Sequence, residues 1–256
     1  MELRLTFNED EKNYDKWRPR YCAELFTRIM EYSGVGEGSR AVEVGIGTGQ
    51  ATLPFLWAGC EVQAVEYGEK LAAFCKQKFS EYSGFQVFTG RFEDFEERGS
   101  RFDLLYSATA FHWIDEKIGY RKAYDLLKPG GTIALFWNRP HVERPGSALE
   151  KKIQHVYETY RPSGAGKSRQ ETPYRLRHEL LEQYGFTNVR TELFFSYREL
   201  AAKEYLCLLR TYSDHRAMPE DIRREFEWEM EQAIVSEGGK VHIYDTMDLH
   251  LGRKKR

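Results

Sequence analysis

Along the first two-thirds of the chain, short apolar runs alternate with stretches whose apolar positions recur at helical spacing. Tyr21–Met30 places apolar side chains at 21, 22, 25, 26, 29 and 30, one stripe of a helix, and Gly34 and Gly36 end it. β-rich runs follow at Arg40–Val44, Glu61–Val65, Phe85–Phe88, Phe102–Tyr106 and Thr132–Trp137. Between several of them the pattern turns helical, at Gln50–Trp57, Glu69–Phe79 and Glu116–Leu127, the last stopped by Lys128-Pro129-Gly130-Gly131. Pro54 makes the first of these helices start late or kink. Short apolar strands joined by crossover segments specify a parallel sheet with helices on both faces.

The pattern changes after Asn138. Arg139–Gly146 holds two prolines and reads as a loop; helices are predicted at Ala148–Tyr160 and Tyr174–Tyr184 and a strand at Phe186–Phe195. Two more helices, Glu199–Leu209 and Glu220–Ser236, come before a final strand at Lys240–Leu251. These late helices interrupt what would otherwise be a simple hairpin, and read as an insertion over the ligand edge of the sheet.

Composition narrows the class. An apolar content of 41% over 256 residues supports a sizeable core, and a net charge of −2 gives no global attraction to nucleic acid or an anionic membrane. No apolar run approaches the length of a bilayer span, the start lacks a secretory h-region, and Cys22, Cys60, Cys75 and Cys207 show no metal-ligand spacing. Reduced thiols in a cytoplasmic protein without a metal are the expectation. The basic end Arg253–Arg256 reads as a solvated terminus.

The chemistry concentrates at A-V-E-V-G-I-G-T-G-Q, Ala41–Gln50. A dinucleotide fingerprint carries its third glycine where this chain has Gln50; here the glycines are Gly45, Gly47 and Gly49. Glu43, two residues before the loop, suits a cationic amine better than a pyrophosphate. Glu66 closes the next strand, 21 residues after Gly45, where its carboxylate can accept from both hydroxyls of a ribose. A ligand with a ribose, an amino group and no phosphate is S-adenosylmethionine. The alternative is a tight strand-to-helix turn with no ligand.

E-V-G-I-G-T-G, the strand ending in Glu66, F-H-W and L-L-K-P-G-G-T-I-A-L-F-W-N together resemble a class I S-adenosylmethionine-dependent methyltransferase, in the small-molecule branch that includes trans-aconitate-type enzymes. The resemblance covers Asn13–Asn138 firmly and the remainder in outline. It implies an α/β, Rossmann-like seven-stranded mixed sheet, the last strand antiparallel, with a helical cover. The expected division is a lid and helix at 1–38, the cofactor-binding core at 39–138, and the rest of the sheet with its inserted cover at 139–256, all in a single compact unit. Glu43 and the backbone of Gly45 and Gly47 would hold the methionine part, Glu66 the ribose, and Tyr67 the adenine face, with Gly49 completing the cofactor-binding loop. The backbone at Phe92 would meet the adenine edge. Arg91 stands where many members have an aspartate, leaving Glu93 as the candidate substitute.

Methyl transfer from a sulfonium needs positioning more than acid–base help, because the thioether leaves without a proton. The candidates follow the fourth strand in S-A-T-A-F-H-W. Ser107 would line the methionine part, His112 would act as base or orient the acceptor, and Trp113 would close the pocket against the sulfonium. A structural role for His112 and core packing for Trp113 stay open. Tyr14 and Trp17 are either lid residues or an aromatic staple for the N-terminal helix. Arg18 and Arg139, with Arg210, His215 and Arg216, would give the acceptor pocket a positive lining suited to a carboxylate. P-S-G-A-G-K-S, Pro162–Ser168, lacks the first glycine of a phosphate-binding loop and is rejected as one. The expected activity is methyl transfer to a small molecule, with no nucleic acid or membrane partner; acceptor and oligomeric state stay open. The rivals are a non-catalytic S-adenosylmethionine-binding module acting through a protein partner and a nicotinamide dehydrogenase.

Overall fold

The computed structural model describes residues 11–97, 102–161 and 174–256, so Pro162–Ser168 lies outside the described residues. Strands β1 (Arg40–Val44), β2 (Glu61–Glu66), β3 (Phe85–Thr89), β4 (Phe102–Ala108), β5 (Leu127–Val142), β6 (Thr187–Ala201) and β7 (Lys240–Arg253) form one sheet in the order β3-β2-β1-β4-β5-β7-β6. β1 runs parallel to β2 and β4, β2 to β3, and β4 to β5. Gly130 N donates to Lys254 O and Glu143 N to His242 O, which sets β7 against the direction of β5. The pairing of Thr191 with His250 and the bond from Ala202 N to Gly239 O do the same between β6 and β7. The expected mixed sheet with an antiparallel last strand is therefore the one formed.

The helices are α1 (Glu11–Trp17), α2 (Ala23–Ser33), α3 (Leu53–Trp57), α4 (Glu69–Lys78), α5 (Glu116–Leu126), α6 (Ala148–Tyr160), α7 (Tyr174–Gln183), α8 (Ala202–Leu209), α9 (Ser213–Arg216) and α10 (Glu220–Ser236). Single 3₁₀ turns lie at Phe92–Asp94 and Phe111–Trp113. Successive strand residues face opposite ways, so β1 sends Ala41 to one face and Val42 and Val44 to the other. Leu25, Phe26 and Ile29 of α2 and Phe55 of α3 cover the first face, packing with Leu104, Tyr106 and Phe136. Tyr120 and Ala123 of α5 and Leu180 and Leu181 of α7 cover the second, with Leu105, Ile133 and Leu135. Each fully buried leucine or isoleucine here contributes on the order of 1.5–3 kcal/mol.

Several boundaries differ from the sequence reading, among them that of β5, which runs on to Val142 into the segment read as a loop. α3 begins at Leu53 because Pro54 is tolerated only in the first turn of a helix. Lys128-Pro129-Gly130-Gly131 ends α5 but already belongs to β5, at a register shift against β4 and paired with Lys254 of β7. β6 runs on to Ala201, so the helix expected from Glu199 starts at Ala202. α9, only four residues long, offers no period to read.

The described residues divide into two compact units, 11–18, 139–161 and 195–246 in one, and 19–97, 102–138, 174–194 and 247–256 in the other. α2 packs on the sheet within the second unit, and β5, β6 and β7 each contribute residues to both units. The first unit has its own core, built by Leu149, Ile153 and Val156 of α6, Tyr205 and Leu206 of α8, and Phe226, Met230 and Ile234 of α10.

Candidate active site

The site is assembled where the parallel strands end. Gly45, Gly47 and Gly49 all hold left-handed φ, at 73°, 60° and 78°. A side chain at Gly45 would run into the Ala110 methyl, and one at Gly49 into the Phe79 ring. Glycine is thus required here twice over, by backbone angle and by close approach. Gly45 N donates to Val65 O at 2.9 Å and Gly49 N to Ile46 O at 2.9 Å, which fixes the turn. From α4, the Cys75 thiol donates to Gly47 O at 3.2 Å and the Lys78 ammonium to Thr48 O at 2.8 Å.

Glu66, at the end of β2, is 8% exposed. Its Oε2 accepts from Gly47 N at 2.9 Å and its Oε1 from Gly68 N at 2.8 Å. Burial raises its pKa, and the amides of Gly68, Gly47 and Tyr67 act against that rise. A carboxylate offers about four acceptor positions, so with three amides engaged it keeps capacity for a further donor. An acceptor of this kind, beside a loop of three glycines, is what a ribose diol requires. The residues present fit the expected cofactor.

Glu43, on β1, is the second acid beside the loop. It lies 1% exposed, on the face covered by α2 and α3, and its Oε2 accepts from Thr52 Oγ1 at 2.7 Å and from Tyr106 OH at 2.9 Å. Burial pushes its carboxyl up from the ordinary 4.5 to about 7, reinforced by the charge of Glu66 and opposed by the two hydroxyls and Lys78. Tyr106 reaches it because Glu43 and Tyr106 are register partners across β1 and β4. Neither Thr52 nor Tyr106 was singled out by the sequence; Tyr106 reads there as one more apolar strand residue.

The remaining candidates of this unit converge on the same edge. Arg91 stacks over the Tyr67 ring at 5.9 Å, and Gly90 N donates to Glu66 O at 2.8 Å. Phe92 is buried, 6.3 Å from the Phe111 ring, so its turn abuts the segment after β4. The Glu93 backbone carbonyl accepts from Lys122 Nζ at 2.6 Å. Ser107 is fully buried and its hydroxyl donates to Val44 O at 2.7 Å, tying β4 to the root of the glycine loop. Thr109 holds φ 53°, unusual for a non-glycine, and its Oγ1 lies 2.6 Å from Tyr21 OH. Exposed His112 accepts at Nδ1 from the indole N–H of Trp137 at 3.0 Å, and its ring lies 5.1 Å from that of half-buried Trp113.

Tyr14, Trp17, Arg18 and Arg139 belong to the other compact unit. There the Arg18 guanidinium lies between the rings of Tyr14 and Tyr212, at 4.7 and 4.6 Å, and donates to Thr211 O at 2.9 Å. Trp17 packs on the core of α6, α8 and α10, the arrangement of an aromatic staple. Arg139 is half-buried in β5. Two of the cations expected to line a pocket do not supply free charge. Arg210 is answered by both carboxylate oxygens of Glu227, and His215 is buried, its pKa lowered to about 4 by desolvation.

Residues 41–131, about a third of the chain, match the family model described as a methyltransferase domain. With the sheet order and the glycine loop, this defines the class: an S-adenosylmethionine-dependent methyltransferase of Rossmann-like fold, with S-adenosylmethionine as its cofactor. The chain is similar to an uncharacterized methyltransferase of Schizosaccharomyces pombe, 25% identical over 235 residues that cover 90% of this chain and 87% of the relative. Its fold is shared with a structure from Anaeromyxobacter dehalogenans assigned as a type II methyltransferase, at TM-score 0.69 and 18% identity over 93% of this chain and 98% of that one. Phosphoethanolamine N-methyltransferase 2 of Haemonchus contortus, solved with phosphomonomethylethanolamine and S-adenosylhomocysteine, is similar at TM-score 0.59 and 13% identity, over all of this chain and 61% of that one.

Proposed function

We propose that the chain transfers the methyl group of S-adenosylmethionine to a small-molecule acceptor, and that the acceptor is a carboxylate. The observation that carries the cofactor side is Glu66, buried at the β2 edge and held by the amides of Gly47 and Gly68. In this reading Glu66 accepts from the ribose hydroxyls and Tyr67 packs against the adenine, whose edge meets the backbone at Phe92 and the carboxylate of Glu93. The backbone of Gly45, Gly47, Gly49 and Ser107 lines the methionine part. Glu43 supports the loop from beneath, through Thr52 and Tyr106. Trp113 closes the pocket and excludes water.

When bound, S-adenosylmethionine supplies a methyl group on a sulfonium whose thioether leaves without a proton. The chain's part is then orientation, worth about 7–11 kcal/mol in favourable cases. His112 orients the acceptor. A carboxylate arrives ionised, and so needs no base. Small-molecule use by the Haemonchus contortus enzyme supports the substrate class, and the trans-aconitate-type resemblance supports the carboxylate. The free cysteines Cys22, Cys60, Cys75 and Cys207 suit a cytoplasmic setting, which belongs to the same proposal.

Calorimetry with S-adenosylmethionine and S-adenosylhomocysteine tests the cofactor side. Micromolar binding is expected in the wild type. In Glu66→Ala it should weaken about a hundredfold or more, since hydrogen bonds to a charged group contribute roughly 1.5–3 kcal/mol each. A folded wild type that binds neither compound refutes the site. On the acceptor side, equal turnover of an acid and its neutral ester refutes the carboxylate.

A further inference from the structure

Trp137 on β5 is buried, and its indole N–H donates to Nδ1 of His112. An indole nitrogen only donates, so Nδ1 of His112 bears a lone pair. A neutral imidazole carries a single N–H, which then resides on Nε2. A histidine that removes a proton through Nε2 needs the opposite tautomer, with Nδ1–H held by an acceptor. Here the partner of Nδ1 is a donor.

The indole has little freedom to change that. The guanidinium carbon of Arg177 lies 3.7 Å from its ring centre, and the His250 ring stands edge-on at 6.1 Å. Arg177 is itself buried and paired with Asp248, which is fully buried. Asp248 Oδ2 lies 2.9 Å from His250 Nε2, and His250 Nδ1 lies 3.0 Å from Thr191 Oγ1. Helix α7 and strands β5, β6 and β7 thus clamp one tryptophan. The segment that carries His112 is seated on the glycine loop, since the Ala110 methyl fills the space a side chain at Gly45 would take.

We propose that Trp137, backed by Arg177 and Asp248, is a positioning residue that fixes His112 as its Nε2–H tautomer, so that His112 donates a hydrogen bond to a lone pair of the acceptor instead of taking its proton. The inference rests on the methyl-transfer reading and sharpens its substrate class to nucleophiles already ionised when they bind. A carboxylate offers one oxygen to Nε2–H and the other to the methyl carbon. The new carbon–oxygen bond forms as the carbon–sulfur bond breaks and leaves its electron pair on sulfur. No proton moves.

The test is the imidazole ¹⁵N spectrum of the histidine-labelled protein without cofactor, with exposed His112→Gln assigning the signals among the seven histidines. His112 should show a non-protonated Nδ1 and a protonated Nε2, and Trp137→Phe, which keeps an aromatic ring but no donor, should lose that preference. A non-protonated Nε2 in the wild type overturns the proposal, and so does a His112 spectrum unmoved by a folded Trp137→Phe. The wild-type spectrum decides even where the variant does not fold. With a carboxylate acceptor, Trp137→Phe should lower kcat about tenfold or more and leave the calorimetric affinity for S-adenosylmethionine within twofold; unchanged kcat overturns the positioning role. Failure of the methyl-transfer reading shows separately, as absence of cofactor binding in the wild type.

Discussion

Glu43 gives the structure a quantitative consequence in pH. In the unfolded chain its carboxyl titrates near 4.5, and in the fold burial raises it to about 7. Between these values the folded protein holds a proton that the unfolded chain has released, so stability falls as pH rises. The stabilisation is fully present below 4.5 and is lost as pH passes through about 7. At about 1.4 kcal/mol per pH unit the whole interval amounts to about 3 kcal/mol. Glu43→Gln keeps the size of the side chain and an oxygen to accept from Thr52 and Tyr106, but does not titrate. Urea unfolding of wild type and variant, followed by tryptophan fluorescence in half-unit pH steps from about 4.5 to 8.5, should therefore diverge. Relative to Glu43→Gln, the wild type should lose about 3 kcal/mol on the way to pH 7 and nothing further above it. Glu66, also raised by burial, titrates in both proteins and largely cancels. Stability curves that stay parallel across the window would refute the claim that Glu43 takes up a proton beneath the loop.

Gly45→Ala should destabilise by about 2 kcal/mol or more, and Gly34→Ala, at a similar φ of 75° with nothing within 4 Å, by only about 1 kcal/mol; equal losses in urea would remove the Ala110 contact from the account. Arg177→Met takes the guanidinium partner from fully buried Asp248 and should cost about 3–5 kcal/mol, with part of it recovered in Arg177→Met/Asp248→Asn; a loss below about 1 kcal/mol would contradict burial of the pair. His215 behaves opposite to Glu43: desolvation lowers its pKa from 6.5 to about 4, so its stability contribution is present above 6.5 and lost as pH falls through 4. Acid titration by circular dichroism should show His215→Gln less acid-sensitive than the wild type across that window, and identical acid profiles would count against a buried neutral histidine.

What the sequence made legible is what depends on the backbone or on local period. Arg40–Val44, Ala148–Tyr160 and Glu220–Ser236 form with the boundaries their patterns gave, because each carries a whole strand or several turns of uninterrupted signal. The glycine loop could be read because three left-handed residues in a row of five admit little else, and Glu66 because a parallel crossover has a characteristic length. The partners of Glu43 could not. Tyr106 is 63 residues away and meets it only through the β1–β4 register. The clamp on Trp137 was hidden more deeply. In M-D-L-H-L, Met247, Leu249 and Leu251 pack on the first face, which leaves Asp248 and His250 in the alternation of a solvent-facing row. The structure buries both, because α7 brings Arg177 onto that face. The division into two units was equally invisible, since β5, β6 and β7 read as single strands.

The two acids near the loop also show why side-chain identity alone does not assign a role. Both are glutamates at the ends of adjacent strands, and burial raises the pKa of each. Their partners differ in kind. Glu43 is held by the hydroxyls of Thr52 and Tyr106, which can rotate to donate or to accept, so either protonation state of the carboxyl is satisfied. Glu66 is held by the amides of Gly47 and Gly68, which only donate and so favour the ionised form against the pull of burial. A carboxyl that can go neutral suits a support buried under a loop. One pinned as an acceptor suits a diol. The donors around each acid, more than its position in the motif, separate the residue that would hold the ribose from the one that would hold up the turn.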